Sequence, residues 1–197
     1  MPQITILPHN PLWLSKFEAQ KKILQEILAS LPILSIQHVG STSIPSLPAK
    51  PVLDIDIIVQ RSDVPLVIAA LVAAGYTDLG TFGIADRWAL RQPGYGRGDE
   101  ALGDEEDMRM NTYVIVEGSL ALRNHLDVKR VLCGNEGLRR EYADTKRRLV
   151  EQGVDLDGYV RGKNEVLLRV LGEAGWSEGE LEEVRRANEY LNGIEAV

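Results

Sequence analysis

Residues 52–59 read VLDIDIIV, a nearly unbroken β-branched and apolar run interrupted only by Asp54 and Asp56. Such a run is the signature of a strand buried at the centre of a sheet. Successive side chains on a strand point to opposite faces, so the two aspartates share one face with Val52 and Ile58, while Leu53, Ile55 and Ile57 fill the other. Two neighbouring carboxylates on a buried strand repel each other and lose hydration. A divalent cation relieves both penalties, and Mg²⁺ in particular is held by one or two carboxylates together with substrate phosphates. The competing reading is an edge strand whose polar face is wet. Aspartate's poor strand propensity and the apolar remainder of the run weigh against it.

A second strand, 33–39, precedes this one and ends in HVGSTS. Gly40 permits a positive φ and a close approach of backbone to ligand. Ser41 and Thr42 add hydroxyls beside backbone N–H groups, a fitting cradle for phosphate. The Pro- and Ser-rich stretch 42–51 is long enough to bring the acid strand alongside the turn.

Around this pair the chain reads as an α+β domain. Asn10 and Pro11 start a helix that Pro32 stops, and Ser62 caps a helix over 63–74 that Gly75 ends. Residues 76–93 hold one or two strands and 110–116 another. Between them, 94–107 is Gly-rich and acidic and reads as a mobile surface loop. From Arg123 onward the pattern is helical, in segments 124–152, 158–174 and 177–192, with Asp157 and Ser177 as caps. The expected organisation is one domain over 1–197: a sheet-containing core to about residue 122, then a helical part. Charges such as Arg139, Arg140, Lys146, Arg147 and Arg148 are assigned to solvated helix faces.

Composition sets the exclusions. A net charge of −7 is a poor match for a general nucleic-acid coat, which needs clustered Lys and Arg. No segment approaches the ~20 apolar residues of a membrane span, and the N-terminus lacks a signal-peptide pattern. The single cysteine, Cys133, forms no intramolecular disulfide and reads as a half-buried helix residue. A cytoplasmic protein is the expectation.

The order of strand, Gly-Ser, short loop and strand with Asp-x-Asp resembles the polymerase-beta-type nucleotidyltransferase superfamily. More narrowly, HVGSTSIPSLPAKPVLDIDIIV resembles the signature of the GrpB family, as do ILPHNPLWLSKFEAQKKIL, VIVEGSLALRNHL, REYADTKRRL and YVRGKNEVLLRVL. The resemblance implies a mixed sheet flanked by helices, with Gly40 and Ser41 on nucleotide phosphates and Asp54 and Asp56 on Mg²⁺ (or Mn²⁺). It implies transfer of a nucleoside monophosphate from a nucleoside triphosphate to a small acceptor. The third carboxylate usual in such enzymes has no clear counterpart: the corresponding strand, MNTYVIV, offers Asn111, with Glu117 at its end, Asp107 just before it and Asp127 beyond it.

Basic candidates for the phosphates are Lys50, Arg87, Arg91, Arg109 and Lys163. Trp88 and Trp13 are candidate stacking partners for the arginines. Lys163 stands at a helix start, where the dipole disfavours a cation unless an anion is bound. His38 and His125 read as structural histidines without an evident acidic partner, and three scattered histidines and one cysteine make no zinc pattern. Three alternatives to the transferase stay open. They are a non-catalytic nucleotide-binding module, a pocket turned to other small-molecule chemistry, and a nucleic-acid binder built on the basic helices.

Overall fold

A computed structural model describes residues 4–94 and 108–194. Its centre is a five-stranded mixed sheet in the order β1-β2-β5-β4-β3. The strands are β1 (Ile33–Val39), β2 (Val52–Val59), β3 (Thr77–Asp78), β4 (Arg87–Arg91) and β5 (Arg109–Val116). β2 runs antiparallel to β1 and parallel to β5, and β4 runs antiparallel to both β5 and β3. The VLDIDIIV run is therefore an interior strand, as its β-branched composition requires.

One face of the sheet is dry. Leu53, Ile55, Ile57 and Val59 of β2 meet Val114 and Val116 of β5 beneath two helices, α1 (Leu12–Ile27) and α2 (Val64–Ala73). Asn10 starts α1 by accepting the Leu12 N–H at 2.9 Å. Trp13, Phe17, Gln20 and Leu24 then recur at helical spacing as its buried stripe. Each fully buried aliphatic side chain of this layer contributes ~1.5–3 kcal/mol. Ser62 does not cap α2; it lies in a 3₁₀ turn, Arg61–Asp63, and its hydroxyl bonds the neighbouring Asp63.

The opposite face is covered in part by helices from the second half of the chain. Two of the expected helices are each broken in two. The 124–152 segment is α3 (Leu120–Gly134) and α4 (Glu136–Glu151). Asn135 takes an extended conformation between them and caps α4 by accepting the Leu138 N–H, while Arg139 donates back to the Leu132 carbonyl at the end of α3. The 158–174 segment is α5 (Leu156–Gly162) and α6 (Asn164–Glu173), joined at Lys163, and its cap is Asp155 rather than Asp157. Gly162 lies so close to Leu149 that a Cβ would stand 2.4 Å from its Cδ2, which seats α5 tightly on α4. The last helix, α7 (Glu178–Ile194), opens with the expected Ser177, whose backbone N–H and hydroxyl both bond Glu180.

The loop 42–51 is built into this helical layer. Ile44 and Leu47 are buried in one cluster with Val131, Leu132, Tyr142, Ala143, Val166 and Val170. The link between the glycine turn and the acid strand is thus clamped between sheet and helices. Cys133 is exposed, not half-buried, on α3. The acidic stretch 95–107 lies outside the described residues. Among the described residues no helix is long and apolar enough to cross a membrane.

Candidate functional site

Strand register assembles the site face row by row, since paired residues share a face. One row runs Val39, Asp54, Asn111, Arg91; the next runs Gln37, Asp56, Tyr113, Ala89. Arg109 lies opposite Val52 and Arg87 opposite Ile115, on the same face. The two aspartates thus sit at the centre of a polar field, as their alternation demands.

Asp54 is held from two sides. The Asn111 amide donates to its Oδ1 at 2.9 Å. Gly40, with φ 66°, passes so close that a Cβ there would stand 2.0 Å from its Oδ2. Only glycine fits both the conformation and the space. The protein surrounding the carboxyl raises its pKa by desolvation, opposed by the Asn111 hydrogen bond and by His125. Asp56 is completely buried. Its oxygens lie 3.0 and 2.9 Å from Nδ1 of His125, which descends from α3. His125 therefore has an acidic partner, one of the two aspartates themselves, contrary to the sequence expectation. Its ring also meets Tyr113 edge-on at 5.6 Å.

His38 is structural, as expected. It is buried, stacked on Phe17 at 4.7 Å, with Nε2 3.0 Å from the Thr42 hydroxyl. Burial, helped by Lys129, pushes its pKa down to about 4. Thr42 departs from expectation: its side chain is buried and its hydroxyl donates to the Val52 carbonyl, so that group is spent internally. Of the turn's side chains, Ser41 is the one directed to the basic residues.

Those basic residues separate into two groups. The first group is three lysines, of which Lys146 reaches the turn and Lys163 and Lys50 share the Tyr159 ring. Lys146, assigned to solvent from the sequence, is 1% exposed. Its ammonium donates to the Pro48 carbonyl and, at 3.4 Å, to the Ser41 hydroxyl, and lies 4.6 Å from the Tyr142 ring centre. Lys163 and Lys50 lie 4.4 and 5.3 Å from the ring centre of the buried Tyr159. Desolvation first, then Lys163 and Arg147, lowers the Lys146 pKa to about 6. Desolvation and then Lys50, against a raising effect of Asp54, lowers that of Lys163 to about 7. On the far side of the acids, along β5 and β4, lie Arg87, Arg91 and Arg109. Arg87 stacks on Tyr113 at 4.8 Å. Trp13 is instead a core residue, and Trp88 packs with the core on the other face of the sheet.

Among the described residues no group of three or more His, Cys, Asp or Glu side chains is arranged to enclose a metal ion. The carboxylates nevertheless suit Mg²⁺ or Mn²⁺. Asp54 and Asp56 are neighbouring oxygen donors on one sheet face, and Asp54 lies against the Gly40 turn. An ion that takes its remaining ligands from phosphate and water needs no closed protein cage.

The described residues form an α+β fold: a five-stranded mixed sheet with helices on both faces, in which a glycine turn adjoins an acid pair. A family model described as GrpB protein matches residues 3–173. The chain is 32% identical over 177 residues to the UPF0157 protein PA4798 of Pseudomonas aeruginosa, covering 87% of this chain and 68% of that one. It is 30% identical over 165 residues to the UPF0157 protein YqkA of Bacillus subtilis, covering 83% of this chain and 45% of that protein, under half its length. The crystal structure of conserved protein GrpB from Enterococcus faecalis shares the fold, with a TM-score of 0.70 at 23% identity, over 87% of this chain and 100% of that one. The chain belongs to the GrpB family.

Proposed function

We propose that the protein binds a nucleoside triphosphate with Mg²⁺ or Mn²⁺ and transfers its nucleoside monophosphate to a small acceptor. The observation that carries this reading is the apposition of Asp54 and Asp56 to a glycine turn backed by three lysines. Lys146, Lys163 and Lys50 neutralise the triphosphate, and Gly40 admits it against the backbone. Asp54 and Asp56 hold the metal ion, which when bound supplies charge neutralisation at the reacting phosphate. Asn111 and His125 keep the two carboxylates oriented. In the transfer, an acceptor oxygen bonds to the α-phosphorus, the bond to pyrophosphate breaks with its electrons leaving on pyrophosphate, and the acceptor's proton passes to water.

Among the described residues no third acid joins the pair, and this supports a second reading. Asn111 stands directly opposite Asp54 and is a poor base, which favours a module that binds nucleotide without turnover. A thermal-shift screen of the four nucleoside triphosphates, with and without Mg²⁺, tests binding, because a ligand of the native state raises the melting temperature. Pyrophosphate release separates the two readings. The transferase reading expects metal-dependent release that Asp54→Asn and Asp56→Asn abolish; unchanged turnover in those variants refutes it.

A further inference from the structure

The three arginines lie on the β5–β4 side of the acid pair, apart from the lysines beside the turn. Arg91 occupies the same row as Asp54 and Asn111, two strands over from the acid, or ~10 Å between backbones at ordinary strand spacing. Arg109 flanks Asn111 two residues before it on the same face, and Arg87 leans back over the Tyr113 ring. Among the described residues no ion pair reaches any of the three. The Arg87 Nε is buried and lacks a hydrogen-bond partner among the described residues. Elsewhere the protein's arginines commonly meet carboxylates, as Arg61 meets Asp86 and Arg130 meets Asp127. Half-buried guanidinium groups on one sheet face, without an ion pair among the described residues, lose hydration. A planar or tetrahedral oxyanion relieves that cost, and the guanidinium fork is the side chain best shaped to take one in two parallel hydrogen bonds.

The lysines lie on the β1 side of the acids and the arginines on the β5–β4 side. In an in-line displacement the acceptor enters opposite the departing pyrophosphate. We infer that the acceptor is an anionic small molecule whose carboxylate or phosphate group docks on Arg91, Arg87 and Arg109. This rests on the transferase reading for the word acceptor, but the anion site itself does not.

The test uses the full-length protein saturated with Mg²⁺ and inorganic tripolyphosphate, so that the lysine side is occupied. Inorganic phosphate is titrated calorimetrically in one arm and malonate in the other, and the stronger binder identifies the oxyanion. One equivalent of one or both is expected to bind. Arg91→Gln weakens that binding at least about tenfold, as loss of a charge-assisted contact does, Arg91→Lys less, and Arg140→Gln, at an exposed arginine of α4, leaves it intact. Arg91→Lys keeps the charge on the strand and serves if the glutamine variant does not fold. Binding that survives Arg91→Gln, binding that disappears in Arg140→Gln, or no binding of either anion at millimolar concentration overturns the inference. If tripolyphosphate does not bind but phosphate still depends on Arg91, the anion site stands and the transferase reading falls.

Discussion

Replacing Lys146 by methionine tests the most unusual electrostatic feature of the site. The side chain is 1% exposed and its pKa is lowered to about 6 in the folded protein. In the unfolded chain it titrates at its ordinary value of 10.5. Between those values the unfolded state carries a proton that the native state lacks, so stability rises with pH, by ~1.4 kcal/mol per pH unit for one lysine. That contribution is absent at or below the folded value and complete once pH passes the unfolded one. Lys163, lowered to about 7, adds a second slope of the same sign above that pH. From pH 7.5 to 9.5 each lysine thus contributes ~3 kcal/mol of pH-dependent stabilisation. Lys146→Met removes one share and keeps the other. It also removes the bonds to Pro48 and Ser41, which moves the whole curve but not its slope. Urea denaturation across that range, wild type against variant, reads the difference directly, and groups common to both cancel. Equal slopes in the two proteins would refute the claim that this ammonium is buried and largely neutral at neutral pH.

Three further outcomes follow from the same geometry. At pH 8 the lysine pair is mostly neutral, so tripolyphosphate binding takes up protons; calorimetry in buffers of different ionisation enthalpy reads this, and buffer-independent heats would contradict it. Gly40→Ala puts a methyl group 2.0 Å from Asp54 Oδ2 at a φ of 66°, and should cost ~1–3 kcal/mol of stability and weaken metal-dependent nucleotide binding, measured by denaturation and thermal shift. His125→Ala leaves the fully buried Asp56 without its cationic or donor partner and should cost ~3–5 kcal/mol, part of it restored by Mg²⁺; a fall in melting temperature that Mg²⁺ does not reduce would argue against Asp56 as a ligand.

Much of the sheet side was legible in the chain because its signals are local. The alternation in VLDIDIIV is enough to put Asp54 and Asp56 on one face, and the glycine between strands is enough to expect a positive φ. The helical side was harder because its functional groups act across long separations. Lys146 lies in the hydrophilic run REYADTKRRL, yet it follows the buried Tyr142 and Ala143 by about one helical turn, a local hint that it faces inward. His125 similarly stands one turn beyond the buried Leu122 on α3, while its partner Asp56 is 69 positions away. The break between α3 and α4 has a local cause: Asn135 caps α4 with its side chain, a capacity that competes with continued helix in ways that periodicity does not register. At Lys163, between α5 and α6, no side chain makes a cap. The choice of Trp13 and Trp88 as stacking partners failed because their large apolar area is worth more in the core than beside a guanidinium.

The tie between Lys146 and the Pro48 carbonyl joins positions 98 apart. A ribosome therefore releases both aspartates and the glycine bend well before the residue that braces them has been made. Until α4 emerges and docks, the nascent chain holds its acids beside an unbraced loop, and competence to grip a polyphosphate is acquired late in synthesis, as a consequence of the order of translation itself.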